Sequence, residues 1–204
     1  MTTETSSSDQ IINLVLLGGK GSGKSRTGNT ILGSKDAFKF GYQIETKSCA
    51  IESSSRFERN LRVIDTPVMD TFSPEESIGR FTEEENNLIN HYIRYIGQDF
   101  EKATIVIFTH LDEWISDSQD QGIMEPKFED FIATLDKNSI QLLNKFNMRY
   151  KPLNNRKGGN DEVVKQIICM AEQLTRQSSV SRGFPQLQCK PEVESQSILC
   201  CNFM

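Results

Sequence analysis

The sequence lacks several features that would place it in a membrane or on nucleic acid. No apolar run approaches the ~18–20 residues that a membrane-spanning helix needs. Lys and Arg number 23 against 28 Asp and Glu, and the resulting net charge of −5 argues against nucleic acid as a partner. The first residues, MTTETSSSDQ, have no basic segment followed by an apolar core, and Thr2 is not the glycine that myristoylation requires. We therefore expect neither a secretory signal nor an N-terminal lipid.

Cysteines and apolar residues are also scarce. The five cysteines are odd in number and form no C-x-x-C pair, so we expect neither a disulfide framework nor a zinc site, and a reducing cytoplasmic location is the default. Apolar residues make up 36% of the chain, which predicts that some of it is unpacked. We expect a disordered lead over residues 1–9, one domain over 10–177, and a disordered tail over 178–204, which is rich in Ser, Gln and Pro.

Strand-like and helix-like segments alternate between these ends. Apolar runs predict strands over residues 11–17, 47–55, 57–64, 103–109 and 148–153. Helical spacing predicts helices over 24–32, after a capping box at 82–85, over 127–146 and over 161–176. Pro152 lacks an N–H donor, which puts the last strand at a sheet edge. The alternation predicts an α/β three-layer sandwich with a mostly parallel sheet.

The first loop of this pattern carries the strongest motif. Residues 18–25 read GGKGSGKS, which fits the phosphate-binding pattern G-x-x-x-x-G-K-[ST], and they lie between a predicted strand and a predicted helix. Glycines let successive backbone N–H groups point at phosphate oxygens, and the helix N-terminus adds its positive dipole end. The residues predicted to bind phosphate are Gly18, Gly19, Lys20, Gly21, Ser22, Gly23, Lys24, Ser25 and Arg26.

Three further loops that follow predicted strands carry useful side chains. Asp65 could hold Mg²⁺ through water. Asp112 could accept two hydrogen bonds from the N1–H and N2–H₂ edge of guanine, a donor pair that adenine lacks, so GTP is favoured over ATP. His110 could stack on the base, and the pair Asn154-Asn155, with Asn154 as the predicted contact, could bind the base carbonyl or the aspartate. Because ligands bind at the carboxyl ends of parallel strands, these loops should meet at one edge of the sheet.

Each of these side chains also has a purely structural interpretation. Asp65 could cap a turn, and Asp112 could be the N-cap of a short helix. Asn154 precedes a turn-like composition, and His110 could be a solvated loop residue. The order of the motifs favours the binding interpretation, but the residues alone leave both open.

Longer runs resemble one family of nucleotide-binding proteins. The P-loop followed by TGNTILG at 27–33, the segment TKSC at 46–49 and the run GRFTEE at 79–84 are similar to the immunity-associated GTPases, the GTPase IMAP family with AIG-type G domains. THLD at 109–112 and NNR at 154–156 resemble the base-recognition motifs of that family. The resemblance covers residues 11 to about 177.

The resemblance implies a Ras-like fold related to septins and binding of GDP or GTP with Mg²⁺. Lys24 would contact phosphate, Ser25 and Thr46 would ligate Mg²⁺ together with Asp65, and Thr46 would also contact the γ-phosphate. Asp112 would read guanine between His110 and Asn154. Family members often hydrolyse GTP slowly alone and assemble face to face through the nucleotide, and many lie on intracellular membranes of lymphoid cells.

Two departures from the family pattern stand out. Val68 replaces the glycine of Asp-Thr-Pro-Gly, and a β-branched residue crowds the place where that glycine approaches the γ-phosphate. Ser77 runs directly into Ile78, where the family has roughly two dozen more residues, including the central strand of the sheet. The sequence therefore predicts an internal deletion and a sheet that lacks one central strand. Either the strand at 103–109 slides beside the first strand, or the chain is a variant that folds poorly and binds nucleotide weakly.

The chain ends in a sequence related to a lipidation motif. Cys201 lies fourth from the end, as in C-a-a-X, and a terminal Met favours farnesyl, with Cys200 available for palmitate. Against this, Asn202 and Phe203 are poor aliphatic positions and no polybasic stretch precedes them. Peripheral attachment to intracellular membranes through Cys201 is thus one hypothesis, and a chance match is the other.

Three functions are compatible with the sequence. The first is a guanine-nucleotide-binding switch or assembly module that is at most a slow GTPase, since no glutamine or arginine close after Asp65 can orient water. Such a protein could form homo- or hetero-oligomers through its nucleotide face. The second is a nucleotide-independent interaction module, a degenerate variant of the same scaffold. The third, an ATP-dependent small-molecule kinase, shares only the P-loop, and Asp112 argues against it.

Overall fold

The computed structural model describes residues 11–41, 46–67, 83–96, 98–177 and 197–203. Its strands are β1 (Ile11–Leu17), β2 (Ala50–Arg56), β3 (Arg59–Asp65), β4 (Thr104–Phe108), β5 (Tyr150–Pro152) and β6 (Ser197–Phe203). Its helices are α1 (Lys24–Leu32), α2 (Glu83–Ile96), α3 (Gln98–Ala103), α4 (Leu111–Asp120), α5 (Phe128–Thr134), α6 (Lys137–Lys145) and α7 (Asp161–Gln177). None of these helices is long and apolar enough to cross a membrane.

The strands form one six-stranded sheet in the order β2-β3-β1-β6-β4-β5. Only β2 is antiparallel to its neighbour β3, and the remaining pairs are parallel. β5 lies at the edge, where the missing N–H of Pro152 costs no ladder hydrogen bond. The predicted α/β sandwich with a mostly parallel sheet is therefore confirmed.

The centre of the sheet differs from the prediction. β6 lies between β1 and β4, with Leu17 opposite Cys201 on one side and Phe108 opposite Phe203 on the other. The expectation of disorder over 178–204 is wrong for residues 197–203. The alternative in which the strand at 103–109 slides beside β1 is also wrong. The central position is filled because two buried parallel strands cannot leave their facing N–H and C=O groups unpaired. The domain therefore includes residues beyond 177.

Helices cover both faces of the sheet, because its inner strands are apolar on both sides. Along β1, Val15 and Leu17 face one layer, while Leu14 and Leu16 face the other. The first layer contains buried residues of α2, α3, α5 and α6, namely Leu88, Ile89, Tyr92, Phe100, Ile132, Leu142 and Leu143. The second contains those of α1 and α7, namely Ile31, Leu32, Val164, Ile167, Ile168, Ala171 and Leu174.

The helix expected over 127–146 is two helices. Leu135 has extended backbone angles, φ −63° and ψ 142°, which end α5. Asp136 then caps α6, because its carboxylate accepts hydrogen bonds from the N–H groups of Asn138 at 2.7 Å and Ser139 at 2.9 Å. The apolar stripe continues across the break, which is why helical periodicity alone predicted a single element.

The cysteines also differ from expectation at one position. Cys49, half-buried against the first core layer, is disulfide-bonded, whereas all cysteines were expected to be reduced. Cys169 on α7 is free and exposed.

The run TGNTILG in α1 has a packing explanation. Asn29 holds the backbone of Phe38 at both ends, since its Nδ2 donates to the Phe38 carbonyl at 2.9 Å and its Oδ1 accepts from the Phe38 N–H at 2.7 Å. The buried Phe38 ring then lies directly against Gly28, where no side chain intervenes. Gly33 ends the helix in the left-handed conformation with φ 72°. This run therefore fixes α1, and with it the loop before it, against the sheet.

Gly28→Ala is expected to destabilise the fold. A Cβ at this position would lie 2.6 and 2.7 Å from carbons of the Phe38 ring and 3.1 Å from Leu16 Cδ1. Overpacking of this kind costs about 1–3 kcal/mol, which outweighs the helix propensity gained from alanine. Urea unfolding should show a lower midpoint for Gly28→Ala, while Gly158→Ala, with no atom within 4 Å, should stay near wild type. Equal stability of both variants would contradict this account of α1 packing.

Candidate functional site

The loop after β1 forms an open cradle at the N-terminus of α1. Gly21 and Gly23 have φ values of 76° and 85°, a left-handed conformation that side chains rarely adopt. Gly23 precedes α1, whose first turn has no side-chain cap and no acidic residue. The helix therefore presents its first N–H groups and its positive dipole end toward the loop. Such a terminus binds anions.

The side chain of Lys24 reaches back from α1 to the carbonyl groups at the start of this loop. Its side chain is buried, and Nζ donates hydrogen bonds to the carbonyls of Gly18 at 3.1 Å and Gly19 at 2.8 Å. Burial lowers the pKa of Lys24 from 10.5 to about 8, and the nearby Asp65 carboxylate offsets part of that effect. An ammonium group that is poorly solvated at this position gains from a bound anion, because the anion's charge favours the protonated form.

The three residues predicted to hold a metal converge on one carboxylate. Asp65 Oδ2 accepts hydrogen bonds from Ser25 Oγ at 2.6 Å and from Thr46 Oγ1 at 3.2 Å. Burial raises the pKa of Asp65, while the hydrogen bond from Ser25 and the charge of Lys24 act in the opposite direction. Its other oxygen, Oδ1, is buried and has no hydrogen-bond partner among the residues that the structure describes. An all-oxygen set with an unsatisfied carboxylate oxygen fits a hard cation such as Mg²⁺.

The loop after β4 lies against the first loop. Thr109 Oγ1 donates to the Ser22 carbonyl at 3.0 Å, which joins the two loops directly. His110, with φ 55°, is the N-cap of α4, so the alternative in which Asp112 caps this helix is wrong. Asp112 lies in the first turn of α4 instead. Its carboxylate forms an ion pair with Arg156 Nη1 at 3.0 Å, and Glu113 accepts a hydrogen bond from Arg156 Nη2 at 2.8 Å.

The two asparagines after β5 have different roles. Asn154 Oδ1 accepts hydrogen bonds from the N–H groups of Arg156 at 3.0 Å and Lys157 at 3.1 Å, so it builds the turn. Asn155 reaches α1, where its Nδ2 donates to Thr27 Oγ1 at 2.9 Å and its Oδ1 accepts from Thr30 Oγ1 at 2.8 Å. Asn155 and Thr109 thus position the site, although the sequence pointed to their neighbours Asn154 and His110.

The remaining predicted residues lie around this centre. Ser22 Oγ bonds back to the Gly19 carbonyl at 2.9 Å, Lys20 is exposed, and Arg26 stacks on the Phe40 ring with its guanidinium carbon 4.5 Å from the ring centre. Val68 and the GRFTEE run at 79–84 lie outside the described residues, except for Glu83 and Glu84 at the start of α2.

The sequence matches the profile of the AIG1 family over residues 12–78 and 75–185. These two stretches meet at residues 75–78, the place where the sequence predicts an internal deletion between Ser77 and Ile78.

Curated relatives carry the same kind of domain in much longer chains. The chain is 31% identical to human GTPase IMAP family member 8 over 186 residues, which covers 77% of this chain and 26% of that protein. It is 34% identical to the rat protein of the same name, covering 57% of this chain and 21% of the relative. Immune-associated nucleotide-binding protein 10 of Arabidopsis thaliana is 31% identical, with 55% and 30% covered. The chain spans less than a third of each of these relatives.

Solved structures of Toc33 from Arabidopsis thaliana share the fold. The Toc33 complex with Mg²⁺ and GMPPNP has a TM-score of 0.55 at 15% identity, with 82% of this chain and 85% of that chain covered. The complex with GDP and Mg²⁺ has a TM-score of 0.53 at 14% identity, with the same coverage.

The burial of Lys24 predicts a specific pH dependence of stability. Its pKa is about 8 in the folded chain and near 10.5 when unfolded, so between these values the unfolded state binds more protons. The free energy of unfolding of the wild type, relative to Lys24→Met, should therefore rise by roughly 2–3 kcal/mol as pH increases through this window. Urea unfolding at pH 7, 8, 9 and 10 measures the difference. The exposed Lys137→Met variant is the control and should follow the wild type, and a flat difference for Lys24→Met would contradict the buried ammonium.

Proposed function

Because this chain belongs to the AIG1 family, we propose that it binds guanine nucleotide together with Mg²⁺ at the loops that follow β1, β3, β4 and β5. The observation that carries this proposal is the convergence of Lys24, Ser25, Thr46 and Asp65. A poorly solvated ammonium beside a carboxylate with one unsatisfied oxygen is a costly arrangement without a ligand. A phosphate and a divalent cation would satisfy both groups at once.

Each side chain has a definite task in this proposal. The N–H groups of the 18–25 loop and of the first turn of α1 bind phosphate oxygens, and Lys24 turns from the loop carbonyls to the β- and γ-phosphates. Ser25 and Thr46 offer hydroxyl oxygens to Mg²⁺, and Asp65 holds its water ligands. When bound, Mg²⁺ would neutralise phosphate charge. Thr46 is then the group whose position reports the presence of the γ-phosphate.

Guanine recognition rests on Asp112. Asp112 lies in the first turn of α4, directly after the loop that follows β4, and the guanine N1–H and N2–H₂ groups would donate to its two carboxylate oxygens. Arg156 forms an ion pair with Asp112 Oδ2, so the base must displace or share this ion pair. Arg156 is about half exposed, so replacing its ion pair with Asp112 by hydrogen bonds from the base costs little free energy. His110 and Asn154 flank the same place and are proposed to contact the base.

Hydrolysis is expected to be slow without a partner. The sequence after Asp65 has no glutamine before Gln98 and no arginine before Arg80, so no nearby group is available to orient water. Toc33 is described as a GTPase whose activity depends on dimerisation. We propose that this chain likewise acts as a switch or assembly module that pairs through its nucleotide face, with a partner completing the site.

Location and process are inferred from the family alone. A cytoplasmic protein of immune cells is the expectation. Peripheral membrane attachment through Cys201 stays a prediction, and it has a structural condition. Residue 201 lies within β6, paired with Leu17 and Val106, so a prenylating enzyme could reach it only when this strand is outside the sheet.

A nucleotide-independent interaction module remains the second candidate. The observation that favours it is that several polar groups of the site satisfy one another: Ser25 bonds to Asp65, and Arg156 bonds to Asp112. A scaffold that no longer needed nucleotide would keep such internal pairs. The unsatisfied Asp65 Oδ1 and the burial of Lys24 weigh against it.

Titration with fluorescent GDP, GTP and ATP in the presence of Mg²⁺ separates these functions. We expect guanine-selective binding that Lys24→Ala abolishes. Asp112→Asn should weaken GDP binding by about 10–150-fold, because the amide keeps one acceptor oxygen and loses one charged hydrogen bond worth roughly 1.5–3 kcal/mol. Asp117→Asn, an exposed carboxylate on the same helix, is the matched control and should bind like wild type. Absence of binding to all three nucleotides would support the interaction module, and a preference for ATP would support a kinase.

A further inference from the structure

β6 occupies a position that joins the two halves of the sheet. Among the described strands it alone pairs with both β1 and β4, so β2, β3 and β1 form one half and β4 and β5 the other. β1 ends directly before the phosphate loop, and β4 ends directly before Thr109. The strand thus separates and aligns the two strands that carry the nucleotide loops.

We propose that β6 is a removable strand, and that its insertion between β1 and β4 and the binding of guanine nucleotide stabilise each other. This inference rests on the proposed nucleotide binding and adds a regulatory role for residues 197–203. With the strand inserted, the site is assembled. With the strand withdrawn, the two halves of the site lose their common spacing.

The contacts between the loops show why the spacing matters. Thr109 Oγ1 bonds to the Ser22 carbonyl at 3.0 Å, and Asn155 bonds to Thr27 and Thr30 at 2.9 and 2.8 Å. All of these contacts cross from the β4–β5 half to the β1 half. With one strand between them, β1 and β4 lie two strand spacings apart, about 9.5 Å. Without β6 the halves would close by one spacing or separate, and either change would break these contacts.

The connection to β6 allows such a withdrawal. Residues 178–196, a segment of 19 residues, link α7 to β6. A chain of this length can span up to roughly 60 Å, so β6 could leave the sheet without moving α7. The segment also keeps the strand near its slot, which favours reinsertion in the same molecule over insertion in a second copy.

The coupling must act in both directions. A guanine nucleotide would contact the phosphate loop on one half and Asp112 on the other, so it binds tightly only to the inserted form. By linkage, a strand that strengthens nucleotide binding is itself held more firmly by the nucleotide, by the same factor. The exchange of β6 amides should therefore respond to nucleotide, although no nucleotide atom needs to touch this strand.

Hydrogen exchange and GDP binding on the full-length chain test this proposal. Leu199→Pro removes an N–H and strains a strand that pairs on both sides, opposite Val15 and Thr104. We expect it to speed exchange in β1 and β4 and to weaken GDP binding at least about tenfold. Val193→Pro, in the connecting segment, is the matched control and should change neither. In the wild type, GDP with Mg²⁺ should slow exchange of the β6 amides.

Other outcomes are decisive as well. Wild-type affinity in Leu199→Pro, with its β6 amides unprotected, would overturn the coupling. If that variant unfolds by circular dichroism, the milder Leu199→Gly is measured, and unchanged GDP affinity with faster β6 exchange again overturns it. A concentration-dependent dimer that protects the same amides would assign the strand to a second copy. If the wild type binds no nucleotide, the proposed function is wrong. The pairing of β6 with β1 and β4 is then tested separately, by whether Leu199→Pro speeds amide exchange in those two strands.

Discussion

Buried parallel strands must have their backbone hydrogen bonds completed on both sides, and this requirement organises the whole molecule. β1 and β4 are covered by helices on both faces, so water cannot replace a missing neighbour. Each unpaired buried group would cost about 1–3 kcal/mol, against a total stability of about 5–15 kcal/mol for a domain. An open gap of several residues in this position is too costly to persist, so without a strand there the two halves of the sheet must close on each other or separate. Residues 197–203 fill that gap by pairing with β1 and β4. The spacing of β1 and β4 in turn sets the positions of the loops that follow them.

Electrostatics at the carboxyl edge follow from the same burial. Lys24 and Asp65 are both shielded from water, which shifts the pKa of each toward its neutral form, and each charge partly offsets the shift of the other. The ion pair between Arg156 and Asp112 is more weakly held, because Arg156 is half exposed and water screens its charge. The region around Lys24 and Asp65 is therefore poorly solvated, whereas Arg156 beside Asp112 is half exposed.

Local sequence signals predicted the parts of this structure that depend on local rules. The apolar runs of β1 and β4, the P-loop and the edge position of Pro152 each follow from a few neighbouring residues. β6 could not be derived this way, because its place depends on a partner more than 180 positions earlier in the chain, and a Ser-, Gln- and Pro-rich context hid its short apolar run. The useful signal was the combination of a missing central strand with the unexplained run SILCC. In the site, the P-loop motif predicted Ser25, the strand-end position predicted Asp65, and the family resemblance predicted Thr46. The positioning roles of Thr109 and Asn155 depend on loop geometry that no motif encodes.

The position of β6 has a consequence for how the protein is made. During synthesis β1 and β4 leave the ribosome before residues 197–203, which pair with both of them. The two halves of the sheet therefore cannot be joined until β6 has been made. Pairings of such long sequence separation form slowly, because loop closure precedes any gain in contacts. Until then the facing edges of β1 and β4 are open to other extended chains. A nascent chain of this protein is therefore an expected client of chaperones that shield strand edges, and the loops that follow β1 and β4 are aligned only after residues 197–203 have left the ribosome.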